Sequence, residues 1–320
     1  MLDRSLNPYY LNDFLSYNET ILNKSPNTVK EYSYDLINFL KFIKMHNNLT
    51  GEKDFEKIKI IDVSESILRH ISLSDLYSYM SFLTNTSKNK PATRARKVAS
   101  IKAFFKFLHK KANILDSDPA QDLETPKLDK RIPKYLTLDE SINLLNTVGN
   151  DEKRNNERNY AIITLFLNCG MRLSELVGIN ITDIKEDKLT VIGKGNKERT
   201  VYLNKACLNA INEYLKVRPR EGVIDKNALF LSERKERISN RMVQHIVKTD
   251  LKKAGLDVDK YSTHKLRHTA ATLMYKYGNV DIRALQEILG HESIATTEIY
   301  THVDNSQIKA AVDRNPLANI

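Results

Sequence analysis

Six residues in the second half of the chain have the types needed to act on a phosphodiester. In sequence order they are Arg172, Lys194, His264, Arg267, His291 and Tyr300. Guanidinium groups bind phosphate oxygens in pairs, and imidazole and ammonium groups can transfer protons. A tyrosine hydroxyl is a nucleophile that can form a covalent phosphoester. Together these residues favour an enzyme that breaks and rejoins DNA strands without a metal ion, another cofactor or ATP.

Two pairs of these residues have helical spacing. Glu175 lies three residues after Arg172, so on a helix it can hold that guanidinium in place, although a purely structural salt bridge explains Arg172 equally well. Arg267 follows His264 at the same spacing and could share a phosphate with it. His268 would complete a zinc-like histidine pair, but Arg267 lies between the histidines and would repel a metal ion. We therefore expect His268 to be a buried, hydrogen-bonded histidine.

Lys194 lies between two glycines in the segment "DKLTVIGKGNKERTVYL", which alternates apolar and polar residues on both sides of "GKGNKE". This pattern predicts a β-hairpin with Lys194 at its turn. A mobile ammonium group there could protonate a leaving alkoxide, although exposed hairpin lysines are also common. Tyr300 is one of fifteen tyrosines. A phenol with a pKa near 10 needs a base or nearby cations before it can attack.

Composition limits the class of protein. The 320 residues carry a formal net charge of +10, with an isoelectric point of about 9.3, which favours a polyanionic partner. Cys169 and Cys207 are too few for a disulfide framework and fit a reducing compartment. The sequence has neither a secretory signal layout nor an apolar run of membrane-spanning length. We expect a cytoplasmic protein associated with the nucleoid.

The first part of the chain has the pattern of a helical domain. Ser25 and Pro26 predict a helix start, and "SLSDLYSYMSFLTNT" and "KPATRARKVASIKAFFKFLHKKANI" predict two further helices. The last of these has no acidic residue between positions 94 and 111, so its basic side chains are predicted to contact DNA phosphates, although a solvated surface would also explain them. The residues predicted to do so are Arg94, Arg96, Lys97 and Lys102.

A basic segment with two prolines, "TPKLDKRIPK", predicts a linker at residues 125–134. We therefore expect one domain over residues 1–124 and a second over residues 135–320. The second domain begins with a capping box formed by Thr137 and Glu140. It is predicted to be mostly helical apart from the hairpin, with a final helix from "ATTEIYTHV" onward.

The segments "GMRLSEL", "VIGKGNKERTV", "HKLRHTAAT" and "LGHESIATTEIYTHV" resemble, in order, the catalytic boxes of the tyrosine recombinases, and in particular of the Xer-type site-specific recombinases. The resemblance spans nearly the whole chain, including the linker. It implies a mainly α fold with two domains. A helical, SAM-like core-binding domain comes first, and a mostly helical catalytic domain with a small antiparallel β-sheet follows.

The resemblance also implies roles for the phosphate-binding residues. Arg172, Arg267 and His291 would hold the scissile phosphate and stabilise its pentacoordinate transition state. Glu175 would hold the Arg172 guanidinium in position without contacting the phosphate.

Three further roles concern bond making and proton transfer. Tyr300 would attack and form a 3′-phosphotyrosyl link, which retains the bond energy for rejoining. Lys194 would protonate the 5′ hydroxyl. His264 would act as a general base or as a hydrogen-bond donor to the transition state.

As partners, the resemblance implies double-stranded DNA held in a C-shaped clamp and four protomers, identical or paralogous, that pass through a Holliday junction. Arg241 and Gln244 in "ISNRMVQHIVK" would contact DNA. The tail after Tyr300 would dock on a neighbouring protomer. An accessory activator is a further possible partner.

Other functions remain compatible with the sequence. A non-catalytic DNA-binding protein would explain the charge and the helices, and a type IB topoisomerase would share the chemistry. Among recombinases, resolution of chromosome dimers is the leading role, and integration or excision of a mobile element is the alternative. We expect no extra arm-binding domain before residue 10, which favours a simple Xer-like recombinase over a larger phage integrase.

Overall fold

The chain forms two compact units, Met1–Lys130 and Arg131–Ile320. The computed structural model describes residues 4–127, 134–151, 155–193, 197–278, 280–291 and 293–303. The division between the units falls within the segment predicted as a linker, and residues 128–133 of that segment lie outside the described ranges.

The first unit is helical in its described part. Its helices are α1 (Tyr9–Ser16), α2 (Pro26–His46), α3 (Glu65–Arg69), α4 (Leu73–Asn85) and α5 (Pro91–Lys110). The predicted start of α2 is confirmed, because the Ser25 hydroxyl accepts the Thr28 N–H and Pro26 occupies the first helical position. Helix α4 starts at a capping box of Ser72 and Asp75.

An apolar stripe on α5 forms much of the core of the first unit. Its side chains, predicted from the helical spacing, are all at most 1% exposed: Val98, Ile101, Phe104, Phe105 and Leu108. They pack with residues of α1, α2 and α4 in one hydrophobic cluster. The basic residues of α5 are thereby held on a fixed helix.

The second unit combines helices with one small sheet. Its elements are α6 (Leu138–Gly149), α7 (Asn156–Cys169), α8 (Leu173–Gly178), β1 (Ile184–Lys185), β2 (Lys188–Ile192), β3 (Glu198–Tyr202), α9 (Lys205–Val217), α10 (Asn240–Lys253), α11 (Thr263–Tyr277) and α12 (Ile282–Leu289). The mainly α class is confirmed, as is the Thr137–Glu140 capping box at the start of α6. Helix α7 is buried along most of its length, and its Cys169 thiol lies 3.6 Å from that of Cys207 on α9.

The predicted hairpin is formed by β2 and β3, and β1 adds an antiparallel edge strand that the sequence pattern did not predict. In this register Val191 lies opposite Arg199. Directly paired residues project from the same face of a sheet, and Val191 is buried. Arg199 therefore points from the hairpin toward the interior of the unit.

The final predicted helix is wrong for residues 295–303. The chain forms two 3₁₀ segments there, Ile294–Thr296 and Glu298–Val303. Their hydrogen bonds span three residues, as from the Tyr300 N–H to the Thr297 carbonyl (3.0 Å). Thr296 and Thr297 are β-branched and have low α-helix propensity. The Thr297 hydroxyl is also hydrogen-bonded to His291, and a continuous α-helix would have to preserve this contact.

Within the described ranges, we find no helix whose length and apolar character would let it cross a bilayer.

Candidate active site

Glu175 is the centre of the ion pairs in this site. It lies in the first turn of α8, where its carboxylate accepts the Arg172 backbone N–H (2.8 Å) and an Arg172 side-chain N–H (2.8 Å). A third bond comes from Arg199 on β3 (2.8 Å), and the Arg267 guanidinium lies 4.0 Å away. Burial alone would raise the pKa of Glu175, but the bonds from Arg199 and Arg172 hold it below its ordinary value. The carboxylate stays charged and fixes the guanidinium groups.

The same arginines also fix the end of α12. The last carbonyls of a helix lack partners within the helix, and here each accepts from a different guanidinium: Arg199 donates to Ile288, Arg267 to Leu289 (2.6 Å) and Arg172 to Gly290 (2.6 Å). Cations at a helix C-terminus also interact favourably with its dipole. These bonds place His291, the next residue, beside the arginines.

Four of the six predicted residues line a single cavity of about 480 Å³: Arg172, His264, Arg267 and His291. They come from three separate stretches of the chain, the start of α8, α11 and the segment after α12. Arg172 and Arg267 line this cavity, and the carboxylate of Glu175 behind them is also shared with Arg199, so the local charge is positive. The arrangement suits a small anion such as a phosphodiester group.

The histidines of the site are held neutral near pH 7. Burial, with Arg267 and Arg172 nearby, lowers the pKa of His291 to about 4. Partial burial and the neighbouring Lys265 and Arg267 also depress the pKa of His264. His291 Nδ1 lies 3.0 Å from the Thr297 hydroxyl. A hydroxyl that donates to Nδ1 leaves the imidazole proton on Nε2, where it can be donated to a phosphate oxygen.

Tyr300 lies behind this cavity. Its side chain is 1% exposed, and its hydroxyl is 2.7 Å from His268 Nδ1. His268 Nε2 is in turn 3.0 Å from His264 Nε2. Burial raises the pKa of Tyr300 to about 12, an effect that Arg267 partly offsets. In this state the candidate nucleophile is a protonated phenol bonded to a neutral imidazole.

Lys194 lies outside the described residues, as do both neighbours on its C-terminal side at positions 195 and 196. The residues that flank this segment are described. Gly193 and Lys197 line a second cavity of about 490 Å³ together with Arg199, and Arg172 and His291 border both cavities. The hairpin turn that carries Lys194 therefore begins and ends at the edge of the site.

The basic residues predicted to contact DNA on α5 differ in their surroundings. Lys97 is 6% exposed, and its ammonium group bonds to the buried Asp35 (3.0 Å). This placement argues against a DNA contact by Lys97, because its charge is compensated inside the first unit. Arg96 is exposed but pairs with Asp35 and Glu31 (both 2.6 Å).

Of the remaining candidate DNA contacts, Arg94 and Lys102 on α5 are half-buried. Arg94 donates to the Thr84 hydroxyl, and Lys102 donates to the Gln121 carbonyl (3.1 Å). Arg241 and Gln244 are exposed on α10. Asn240, the first residue of α10, lines the same cavity as Arg172. Arg241 and Gln244 therefore lie on the first turns of a helix whose first residue lines the cavity.

Two residues of the site were missed from the sequence. Arg199 was not singled out, because its role depends on strand register and on partners 24 and 89 residues away. The prediction that His268 is hydrogen-bonded is confirmed, but the sequence did not predict its partners, Tyr300 and His264. The signal for His268 was its spacing of four residues from His264, which places both rings on one face of α11.

Replacing Gly290 with alanine should reduce activity by displacing arginines. Gly290 has a φ of +62°, and a Cβ atom there would lie 2.7 Å from Arg199 Cδ and 3.5 Å from Arg172 Nη1. We expect a loss of about 1 kcal/mol from the left-handed backbone and a marked fall in covalent DNA attachment. Gly255→Ala is the matched control, since its φ is +71° and no atom lies within 4 Å of the added Cβ. Covalent DNA attachment is measured for both variants, and chemical denaturation gives the stability of each. Equal attachment by Gly290→Ala and Gly255→Ala would contradict this account.

Comparison with known proteins places the chain in a family. It matches the phage integrase family over residues 134–307. It is 57% identical to tyrosine recombinase XerC of Caldanaerobacter subterraneus subsp. tengcongensis, over 97% of this chain and 88% of that protein. It is 32% identical to tyrosine recombinase XerC of Thermodesulfovibrio yellowstonii, over 96% of each chain.

A solved structure shares the fold. XerH site-specific recombinase bound to palindromic difH substrate, in a post-cleavage complex, aligns with a TM-score of 0.72 and 23% identity over 91% of this chain and 81% of that chain. The chain thus belongs to the phage integrase family and is a tyrosine recombinase.

Proposed function

We propose that this recombinase is of the Xer type and resolves chromosome dimers by cutting and rejoining DNA at one specific site. Tyr300 would form a 3′-phosphotyrosyl intermediate, and exchange would pass through a Holliday junction. The observation that carries the proposal is the cavity in which Arg172, His264, Arg267 and His291 converge. The names of the similar proteins, XerC in both cases, support the Xer type.

The geometry suggests how the cavity would act on a scissile phosphate. Arg172 is 28% exposed at its side chain and keeps donors available while Glu175 fixes its position. Arg267 is 4% exposed, and burial together with the nearby Arg172 lowers its pKa to about 10, so it remains a cation at neutral pH. Fixed donors of this kind stabilise the charge that develops on a phosphorane without having to reorganise. His291 would add a neutral donor.

Tyr300 would attack the phosphorus atom, and the 5′ oxygen would leave. We assign protonation of the leaving 5′ oxygen to Lys194, which lies outside the described residues. Because the phosphotyrosyl bond replaces a phosphodiester bond, the reverse reaction with a new 5′ hydroxyl would need no ATP. Tyr300 is buried in the free protein, so cleavage requires the scissile phosphate to gain access to its hydroxyl when DNA binds.

The proposed assembly has four protomers on two DNA sites, identical to one another or paired with a paralogue. The tail that would dock on a neighbour, residues 304–320, lies outside the described residues. An accessory factor that activates cleavage is part of the same proposal.

Arg241 should contribute one phosphate contact. Replacing it with glutamine is expected to weaken DNA binding similarly for all sequences and to reduce the slope of log K against log salt by about 1. Lys216→Gln is a suitable control, because Lys216 is an exposed cation on α9, which contributes no described residue to the cavity of Arg172. Fluorescence anisotropy at several salt concentrations measures both slopes. An unchanged slope for Arg241→Gln would remove it from the DNA-contacting surface.

The proposed role can be tested by covalent capture. The protein is incubated with fragmented genomic DNA from its source cell, denatured, and the attached 3′ ends are sequenced. Attachment at one chromosomal position supports dimer resolution. Attachment at the ends of a mobile element, or at many unrelated positions, would overturn it in favour of an integrase or a topoisomerase respectively. If purified protein alone gives no product, the experiment is repeated with cell extract to supply a partner, and failure there as well would refute the proposal.

A further inference from the structure

The Tyr300 hydroxyl contacts a histidine that has no part in the roles given above. Tyr300 is buried, while His264 is exposed and lines the cavity of Arg172. His268 lies between them, 2.7 Å from the Tyr300 oxygen through Nδ1 and 3.0 Å from His264 Nε2 through its own Nε2. Both distances are within the range of hydrogen bonds. The three side chains form a continuous path from a buried phenol to an accessible imidazole.

We infer that His268 accepts the proton of the Tyr300 hydroxyl during strand cleavage and passes a proton on to His264. The inference rests on the proposed function, because it assigns the base for that reaction. It makes His268 a catalytic residue that touches the reacting oxygen, and it makes His264 the outer end of the path.

The proton transfers balance as follows. The Tyr300 oxygen forms a bond to phosphorus while the bond between phosphorus and the 5′ oxygen breaks. The phenol proton moves to His268 Nδ1, and the proton on His268 Nε2 moves to His264 Nε2. His264 becomes an imidazolium ion, and the 5′ oxygen takes its proton from Lys194. Rejoining runs the same transfers backward.

The surrounding charges explain why the path is inactive without DNA. His268 faces His264, Lys265 and Arg267 on its own helix, and His291 and Tyr300 on the segments packed against it. Burial and the charges of these neighbours lower the pKa of His268 to about 3, so it does not take the phenol proton in the free protein. A phosphodiester anion bound in the cavity would offset the cations and favour a protonated imidazole. Proton transfer would then be coupled to the arrival of the substrate.

The direction of the hydrogen bonds from Tyr300 to His268 and on to His264 determines the tautomers of both histidines in the free protein. Nitrogen NMR can identify these tautomers without any DNA. If Tyr300 donates to His268, then His268 carries its proton on Nε2 and His264 carries its own on Nδ1. We expect these two forms in the ¹⁵N spectrum of the labelled full-length protein, and Tyr300→Phe should shift the His268 Nδ1 signal. A His268 that carries its proton on Nδ1 would overturn the inference, whatever the protein does with DNA.

Kinetics provide the second test. The substrate is a duplex of the captured site with a 5′ sulfur at the scissile phosphate, a leaving group that needs no proton from Lys194. His268→Asn retains an acceptor near the Nδ1 position but cannot serve as a base. At neutral pH we expect its rate of covalent attachment to fall by a factor on the order of 10²–10⁴, with DNA affinity unchanged.

The pH profile separates a base from a merely structural residue. Cleavage by the unchanged protein should stay nearly level from about pH 7 to pH 9, because the pKa of His268 starts from about 3 and stays below this range after the bound phosphate raises it. The His268→Asn rate should instead rise about tenfold per pH unit, because only the phenolate of a group with a pKa near 12 would attack.

The controls make each outcome decisive. His70→Asn, at an exposed histidine of the first unit, should leave both rate and profile unchanged. Thermal unfolding shows whether His268→Asn is folded, and the NMR result stands if it is not. An unchanged rate, or an equal loss at every pH, would overturn the inference. Failure of the unchanged protein to attach to any DNA would instead reject the proposed function and leave the tautomers as a separate result.

Discussion

Replacing Tyr300 with phenylalanine should abolish covalent attachment to DNA and leave DNA binding intact. The substitution removes one oxygen, and no other group takes its place as nucleophile in the proposed mechanism. The cost to folding should be about 1 kcal/mol, the typical value of the lost hydrogen bond to His268. Denaturing electrophoresis of the protein with labelled site DNA measures attachment, and anisotropy measures binding.

The matched control for this variant is Tyr277→Phe. Tyr277 is 65% exposed at the end of α11, in the same unit of the chain. It should attach to DNA at the rate of the unchanged protein. Covalent attachment that persists in Tyr300→Phe would show that a different residue is the nucleophile.

Replacing Glu175 with glutamine should have the largest effect on stability. The Glu175 side chain is fully buried and neutralises part of the charge of Arg172, Arg199 and Arg267. Removing one partner from a buried ionic group typically costs 3–5 kcal/mol, because the remaining charges stay buried without compensation. We expect a loss of about that size in the free energy of unfolding. Activity should also fall, since Arg172 and Arg199 would lose their common anchor.

The pH dependence of this loss follows from the lowered pKa of Glu175. A carboxyl group whose pKa is lower in the folded state stabilises the fold above its unfolded pKa, here about 4.5, and this contribution is lost as the pH falls through the folded value. The stability difference between the protein and Glu175→Gln should therefore be full at neutral pH and narrow in acid. Urea denaturation at several pH values measures it.

Glu213→Gln provides the comparison for Glu175. Its carboxylate pairs with Lys216 at the surface, where such pairs contribute less than about 0.5 kcal/mol. A cost for Glu175→Gln as small as that for Glu213→Gln would mean that the arginines do not depend on this carboxylate.

Local features of the sequence predicted local structure well. The Ser25 cap, the Thr137–Glu140 capping box and the apolar stripe of α5 depend on residues a few positions apart, so their patterns are readable from the sequence. The hairpin of β2 and β3 was predictable for the same reason. The 3₁₀ segments around Tyr300 were not, because their geometry is stabilised by contacts with α11.

The residue types of the site were predictable from the sequence, but the contacts between those residues were not. The chemistry of Arg172, Arg267 and His291 could be inferred from side-chain types, but their convergence on the C-terminus of α12 could not. Arg199 reaches Glu175 only because the strand register turns it inward. Lys97 shows the opposite error, since a uniformly basic helix suggested an exposed side chain, and the buried Asp35 lies 62 residues away.

The most direct test of the central claim is to identify the residue that carries DNA. The covalent complex is digested with nuclease and trypsin, and the peptides are analysed by tandem mass spectrometry. Cleavage after Arg283 and Lys309 gives a peptide of residues 284–309 in which Tyr300 is the sole tyrosine. The account predicts that this peptide carries a nucleotide joined through its 3′ phosphate to Tyr300. A nucleotide on any other residue, or joined through a 5′ phosphate, would contradict it.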